Sequence, residues 1–191
     1  MKTMTHTSRL ALAGVLLAGL AATAAGASTI CFEAEDVTEV AAPMRVGNKD
    51  TVPAGDREIL QKASGQAYLE VPEKAGKPPE VNTGKASIRF NVPKSDTYIL
   101  WIRAWWNDEC GNSVTLAIDD ARPFSFGQDA TYKRWHWVRS PPRIKQLDLD
   151  KGAHTLHIIN REDGIRLDQI LFINTKRYIP VGTEDVTEER K

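Results

Sequence analysis

From residue 29 onward the chain alternates apolar and polar positions in short runs separated by turn residues, a period of two that predicts β-strands. In 29–35, Ile30, Phe32 and Ala34 face one way and Cys31, Glu33 and Glu35 the other. Residues 44–46 predict a short strand after Pro43, and 57–62 a helical turn inside a polar, irregular stretch. Ala67, Leu69 and Val71 alternate with Tyr68 and Glu70, and the stretch 73–84, with Pro78-Pro79 and two glycines, reads as a long surface loop. Ala86, Ile88, Phe90 and Val92 alternate with Lys85, Ser87, Arg89 and Asn91, as in a half-buried antiparallel strand. After the turn at 93–96, the run 97–105 puts Tyr98, Leu100, Ile102 and Ala104 on one face and Ile99, Trp101, Arg103 and Trp105 on the other. Val114, Leu116 and Ile118 form another strand, 123–126 a short edge strand, and 135–139 alternates Trp135, Trp137 and Arg139 with His136 and Val138. Residues 144–149 and 155–159 predict a hairpin about Asp150-Lys151-Gly152.

The last strand differs in kind. A polar turn, Asn160-Arg161-Glu162-Asp163-Gly164, leads into Ile165, Leu167, Ile170, Leu171, Phe172 and Ile173, dense enough for a strand buried on both faces. Strict alternation places Asp168 on the side of Ile170 and Phe172. A carboxylate there requires a cation, hydrogen-bond donors or a metal, because an isolated buried charge is too costly. Short strands with turn residues between them, no convincing helix and no internal repeat predict an all-β sandwich or jelly roll.

Composition changes the picture at the ends. Lys2 and Arg9, an apolar run at 10–20 and Ala25-Gly26-Ala27 read as a secretory signal peptide at 1–27, which places the mature domain at 28–175 and a charged, loosely held tail at 176–191. The expected location is extracellular or periplasmic, with no transmembrane segment after cleavage. Lys plus Arg and Asp plus Glu each total 25, so the formal net charge is zero and nothing argues for nucleic acid. For an exported chain, a disulfide between Cys31 and Cys110 is the natural expectation, the alternative being two separate thiols. Catalysis is not expected. His154 and His157 lie three apart on a strand and face opposite sides, and the chain has no Gly-x-Ser-x-Gly or His-Glu-x-x-His. Asp148 and Asp150 share a face but sit beside a turn and read as solvated, although a glycosidase built on them is the enzyme alternative.

Several motifs occur in order. Phe32-Glu33-Ala34-Glu35-Asp36 opens the domain; Ser64-Gly65-Gln66-Ala67-Tyr68 follows; then come Phe90-Asn91-Val92-Pro93 with Asp96-Thr97-Tyr98, and Gly164-Ile165-Arg166-Leu167-Asp168-Gln169-Ile170 closes it. This set resembles family six and family thirty-five carbohydrate-binding modules over nearly all of 30–174. The resemblance implies a galactose-binding-domain-like β-jelly-roll and a non-catalytic, sugar-binding role. It also implies a structural calcium between the first and last strands, held by Glu33, Glu35 and Asp168 with backbone carbonyls near Lys62 and Gly65. Hard oxygen donors without His or Cys suit Ca²⁺; the alternative is that these acids form salt bridges with Arg166, Arg89 or Lys62.

In the resembled modules the ligand site lies in loops at one end of the sandwich. Sugar faces pack on aromatic rings and polar neighbours take the hydroxyls, so the candidates are Trp106, Asn107, Asp108, Asn112, Trp135, Trp137, Asn160 and Asp163. Tryptophans are equally common in β-sandwich cores, and 160–163 reads either as a ligand loop or as a well-capped turn. Arg166 stands where the family often has a sugar-contacting Asn; it suits a carboxylate, as on a uronic acid, or pairing with Glu162 or Asp163. The expected partner is a polysaccharide or oligosaccharide, with a separate enzyme or an envelope protein as a further partner. The runner-up reading is an exported structural or adhesion domain that binds protein or cell envelope.

Overall fold

The protein is described from a computed structural model, in residues 27–75, 84–141 and 146–187. Almost all of the expected leader, the Pro78-Pro79 loop and the start of the strand expected at 144–149 lie outside those residues. The elements are β1 (Thr29–Glu33), β2 (Glu39–Ala41), β3 (Arg45–Gly47), α1 (Arg57–Gln61), β4 (Tyr68–Val71), β5 (Lys85–Val92), β6 (Asp96–Trp106), β7 (Ser113–Ile118), β8 (Phe124–Gly127), β9 (His136–Arg139), β10 (Leu147–Leu149), β11 (Gly152–Ile159) and β12 (Ile165–Ile173). Two antiparallel sheets pack face to face. The first runs β10-β6-β12-β4-β3, with β1 also on β12 and β9 also on β6; the second runs β2-β5-β11-β7-β8. The chain is therefore an all-β jelly roll. Among the described residues no helix is long and apolar enough to cross a membrane.

The alternating positions do what their period predicts. Phe32 from β1, Phe90 from β5 and Phe172 from β12 meet between the sheets, with Phe90 stacked on Phe172 at 4.8 Å between ring centroids and on Phe32 at 5.5 Å. Tyr98, Leu100, Ile102, Ala104 and Trp106 are the inward residues of β6. All nine residues of β12 are buried, as its density of apolar side chains implies.

The expected hairpin and the expected turn at 93–96 are instead crossovers. β10 pairs with β6 in one sheet while β11 pairs with β5 and β7 in the other. Likewise β5 and β6, joined through Pro93 to Ser95, belong to different sheets. Period-two alternation is the same for a strand that turns back on its neighbour and for one that crosses the sandwich, so the pattern does not distinguish them. The expected Cys31–Cys110 disulfide is absent: Cys31 is buried beneath the C-terminal segment and Cys110 is exposed in the β6–β7 loop. Burial pushes the Cys31 thiol up to about 12, which makes it an inert apolar side chain.

The C-terminal segment is tied down as far as 187. Glu184 N–H donates to Gln169 Oε1 at 2.9 Å, Gln169 Nε2 returns a bond to the Glu184 carbonyl at 3.0 Å, and Thr187 exchanges bonds with Cys31 on the free side of β1. The unpaired edge of β1 needs such partners, and a polar, charged tail gives no apolar signal that it will supply them.

Strict alternation fails at Asp168. A bulge between Leu167 and Gln169 inserts one extra residue opposite the Ala104–Arg103 step of β6. Ile170 and Phe172 keep the core face, while Asp168 turns to the outer face and meets the Arg103 guanidinium. Its Oδ1 accepts from Ser64 N–H at 2.8 Å, and its carbonyl accepts from Ala34 N–H at 2.7 Å. The carboxylate is fully buried and the arginine side chain 9% exposed.

Breaking this pair from either side strands a buried charge, which costs on the order of 3–5 kcal/mol. Arg103→Gln and Asp168→Asn are each expected to lower the thermal midpoint by roughly 10 °C for a chain of this size, while an apolar double replacement recovers much of the loss. Equal midpoints for the single variants and the parent protein sink the assignment. A second expectation concerns pH. Burial disfavours a charged His154, but Asp119 Oδ2 at 2.7 Å and the Asp150 carbonyl outweigh it and raise the imidazole above its ordinary value. Burial likewise opposes ionisation of Asp119, and the bonds from His154 and Thr155 lower its carboxyl. The pair therefore stabilises between the ordinary carboxylate and imidazole ranges; the His154 share is lost as pH rises through its raised value, and the Asp119 share as pH falls through its lowered one. NMR titration should place the His154 midpoint above that of a free imidazole, and Asp119→Asn should bring it down.

Candidate functional site

The three expected calcium ligands occupy one side of the first sheet, where β1, the turn at 64–66 and β12 meet. Glu33 Oε1 accepts from Ser64 Oγ at 2.7 Å and Gln169 Nε2 at 3.1 Å, while Glu33 Oε2 is buried with no hydrogen-bond partner among the described residues. Burial raises the Glu33 carboxyl, with Ser64 and Gln169 pulling it back. Burial, reinforced by Glu33 and Asp168, pushes Glu35 up to about 9. Burial also raises Asp168, against the pull of Arg103.

The donor chemistry is all oxygen and suits Ca²⁺, but the geometry does not fit a calcium cage. Arg103 takes Asp168 Oδ2 and also donates to the Lys62 carbonyl at 3.2 Å, two of the groups that the resemblance gives to the ion. Among the described residues no group of three or more His, Cys, Asp or Glu side chains is arranged to hold a metal.

The loop end of the sandwich is tied shut by its own polar groups. Asp163, buried, accepts from Lys74 N–H at 2.8 Å; Asn112 N–H donates to Glu162 Oε2 at 3.0 Å; Asn107 Nδ2 donates to Glu73 at 2.9 Å and to Asp108 at 3.1 Å. Asp108 Oδ1 in turn accepts from the backbone of Cys110 and Gly111. A Cβ at Gly111 would lie 2.4 Å from the Asp163 carbonyl, so the two loops touch backbone to backbone and only glycine fits. Of the expected ligand groups here, Asn112, Asn160 and Asp163 are buried, while Asn107 and Asp108 are half-buried. Residues 160–163 form a well-bonded turn. The Asn160 Oδ1 atom is buried and accepts no hydrogen bond among the described residues.

The remaining candidates are scattered. Trp106 is fully buried in the core, its Nε1 donating to Asp129 at 3.1 Å. Trp137 donates to the Gly182 carbonyl at 3.0 Å under the C-terminal segment. Arg166 is buried and pairs with Asp56 at 2.6 Å and Glu70 at 3.7 Å, not with Glu162 or Asp163. Its guanidinium lies 4.3 Å from the ring centroid of Trp105.

Trp135 lines an open cleft of about 570 Å³ on the outer face of the first sheet, and Trp137 lines another, of about 470 Å³, with Trp101 and Arg139. Arg103 and Trp105, two apart on β6, form the floor of the first; α1 supplies Ile59 and Glu58, with Lys62 just beyond; and Lys133, Arg134 and Trp135 form the far wall. Trp135 Nε1 donates to the Ile59 carbonyl at 3.0 Å, and Arg103 lies 5.3 Å from its ring centroid. Lys133 takes a left-handed backbone, φ 55°, held by its N–H donating to the Trp106 carbonyl at 2.8 Å. Glu58 pairs with Lys62 at 2.7 Å across one helical turn. Indole walls with a few fixed polar groups, in a volume within the ~300–1,000 Å³ usual for small-ligand sites, are what a binding cleft requires. The signal was present in the chain as Arg103 and Trp105 on one strand face and Lys133-Arg134-Trp135 in a row; only the fold brings the two together.

Comparison with known proteins bears on the fold. No protein-family profile matches the chain, and no curated protein does. Solved structures do match. The GH26-CBM35 β-(1,4)-mannanase of Podospora anserina aligns at 16% identity and a TM-score of 0.55 over 80% of this chain and 29% of that one. The exo-β-1,3-galactanase of Phanerochaete chrysosporium aligns at 14% identity and 0.53 over 76% of this chain and 29% of that one. This chain thus spans under a third of either enzyme. The family 35 carbohydrate-binding module of Clostridium thermocellum aligns at 15% identity and 0.50 over 74% of this chain and 96% of that one. At that TM-score and coverage, the two-sheet chain shares the β-jelly-roll fold of this family 35 carbohydrate-binding module.

Proposed function

We propose that this protein is an exported, non-catalytic carbohydrate-binding protein that engages a polysaccharide through the cleft of Trp105 and Trp135. The observation that carries the reading is the cleft itself: two indoles, one of them half-exposed, in an open cavity with side chains fixed by hydrogen bonds. The jelly-roll fold shared with a carbohydrate-binding module adds support by analogy. The placement of the acids supports a non-catalytic role. Glycoside hydrolysis needs two carboxyl groups flanking the bond, and the acid in the cleft lining, Glu58, is tied to Lys62. Asp148 accepts from the Thr97 hydroxyl at 2.6 Å on an exposed strand, away from the cleft. In this reading Arg103, not calcium, neutralises Asp168, so binding measured in EDTA equals binding measured with added calcium.

The test is retention of the full chain on a panel of plant, algal and bacterial polysaccharides. Trp135→Ala should lose about tenfold or more in affinity, the range of a truncated aromatic anchor, with an unchanged circular dichroism spectrum. Trp106→Ala should instead destabilise the fold by about 3–5 kcal/mol, as removal of a core aromatic does. A parent protein that no glycan retains, while envelope or protein preparations do, would turn the assignment to an adhesion domain.

A further inference from the structure

The sandwich has a seam where its two sheets end. β8 is the last strand of the second sheet and β9 pairs with β6, so among the described residues each has one edge with no strand beside it. The cleft of about 470 Å³ lies between them: Ser125 and Gly127 come from β8, Trp137, Val138 and Arg139 from β9, and Trp101 from β6. A free strand edge presents a row of unsatisfied N–H and C=O groups, and two that border one cleft are a template for an added strand.

The side chains extend that template. Trp101 Nε1 has no hydrogen-bond partner among the described residues. The neighbouring indoles each donate to a backbone carbonyl, Trp135 to Ile59 and Trp137 to Gly182 of the C-terminal segment. The Trp137 bond is an intramolecular case of an indole holding the backbone of a crossing segment. Arg139 is exposed and in no salt bridge among the described residues. Its guanidinium lies 5.8 Å from the Trp101 ring centroid, a stacking that leaves its N–H fork free for a carboxylate. The acid in the lining, Asp129, is already taken: it meets His136 Nε2 at 2.7 Å and accepts from Trp106 Nε1 at 3.1 Å and Thr131 N–H at 3.2 Å.

From this we infer that the seam docks an extended peptide of a partner protein, one that carries an acidic side chain. The peptide backbone pairs with the free edges of β8 and β9, one of its carbonyls accepts from Trp101 Nε1, and its carboxylate meets Arg139. Main-chain bonds supply affinity in strand addition, and the side-chain contacts supply the choice of sequence. A sugar fits this cleft less well. Arg139 lies over the Trp101 ring and Trp137 is tied to the C-terminal segment, so neither indole offers the bare face on which a pyranose packs. The inference stands apart from the carbohydrate reading, which rests on Trp105 and Trp135 in the other cleft.

Selection of the full chain against a library of blocked peptides tests it. Each member carries one fixed Glu among randomised Val, Thr, Ile and Tyr, residues that favour the extended backbone; a twin library carries Gln in place of Glu. The expected result is retention of Glu peptides, with the matching Gln peptides bound about tenfold more weakly, the worth of a charge-assisted contact. Arg139→Gln, at an exposed site, should keep the parent melting temperature and lose the same factor. Trp101→Phe removes the indole N–H and should cost about two- to tenfold. N-methylation of the peptide backbone should abolish binding, and the bound peptide should slow amide exchange in β8 and β9. Trp135→Ala should leave peptide binding unchanged, which separates this site from the sugar cleft. A library from which nothing is retained overturns the inference, as does equal binding of the Glu and Gln peptides or of the parent and Arg139→Gln. An N-methylated peptide that binds as well as its parent removes the strand pairing and overturns it too. So does displacement of the retained peptide by oligogalacturonate with the same dependence on Arg139, which makes the cleft a site for any carboxylate. None of these outcomes touches polysaccharide retention through Trp135, which stands or falls on its own test.

Discussion

The ion pair between Arg103 and Asp168 is the constraint on which the rest of the molecule depends. Neither charge is tolerable alone at that depth, so each fixes the other. Asp168 reaches the pair only because β12 bulges there, and the bulge sets the register of β12 against β6 on either side. The same residue gathers β1 through Ala34 N–H and the turn at 64–66 through Ser64 N–H. Arg103 draws in the Lys62 carbonyl at the end of α1 and underlies the Trp135 ring. One buried pair thus joins the two ends of the chain and orients the floor and one wall of the cleft.

Most of the architecture was legible in the chain because a β-sandwich writes its core as a period of two. The strands β4 to β7, β9 and β12 stand within a residue or two of where alternation put them, and β11 begins three residues before its expected start. β2 was not legible: its three residues are all exposed, so no apolar face marks it. Nor were the crossovers after β5 and β10, since alternation records which side a residue faces and not which strand lies beside it. Asp168 was correctly singled out as needing a partner. The face it turns to was misplaced, because a bulge breaks the period by one residue and carries no composition of its own.

The site was less legible than the fold for a different reason. Aromatic and polar residues near strand ends look alike whether they serve the core, a turn or a ligand. Trp106 and Trp135 both stood at strand ends, yet one became core and the other a cleft wall. What separates them is the face each strand turns inward, and for Trp106 that face was already readable: it continues the series Tyr98, Leu100, Ile102, Ala104. Trp105, one residue earlier, continues the series of Arg103 and so belongs outside. Arg166, on β12, lies opposite Trp105 of β6 and was taken up by that indole and by two acids, Asp56 and Glu70. The loop 160–163 bonded inward, as a well-capped turn does.

The proposed binding on the sheet face rather than in the loops has an energetic logic. Loop groups that satisfy one another must break those bonds to take a ligand, so each contact they offer replaces one they already have. The cleft groups are arranged the other way. The Trp135 ring is anchored through Nε1 to Ile59, Lys133 through its backbone to Trp106, and Lys62 through its carbonyl to Arg103. Their anchors leave the indole surface and the ammonium of Lys133 unspent, and Arg134 beside them is in no salt bridge among the described residues. Side chains held in place before association lose less freedom on binding, where each immobilised side chain costs about 0.5–1.5 kcal/mol. The buried pair that holds the sandwich together is, by the same set of contacts, what pre-forms the cleft, so stability and the proposed binding draw on one network.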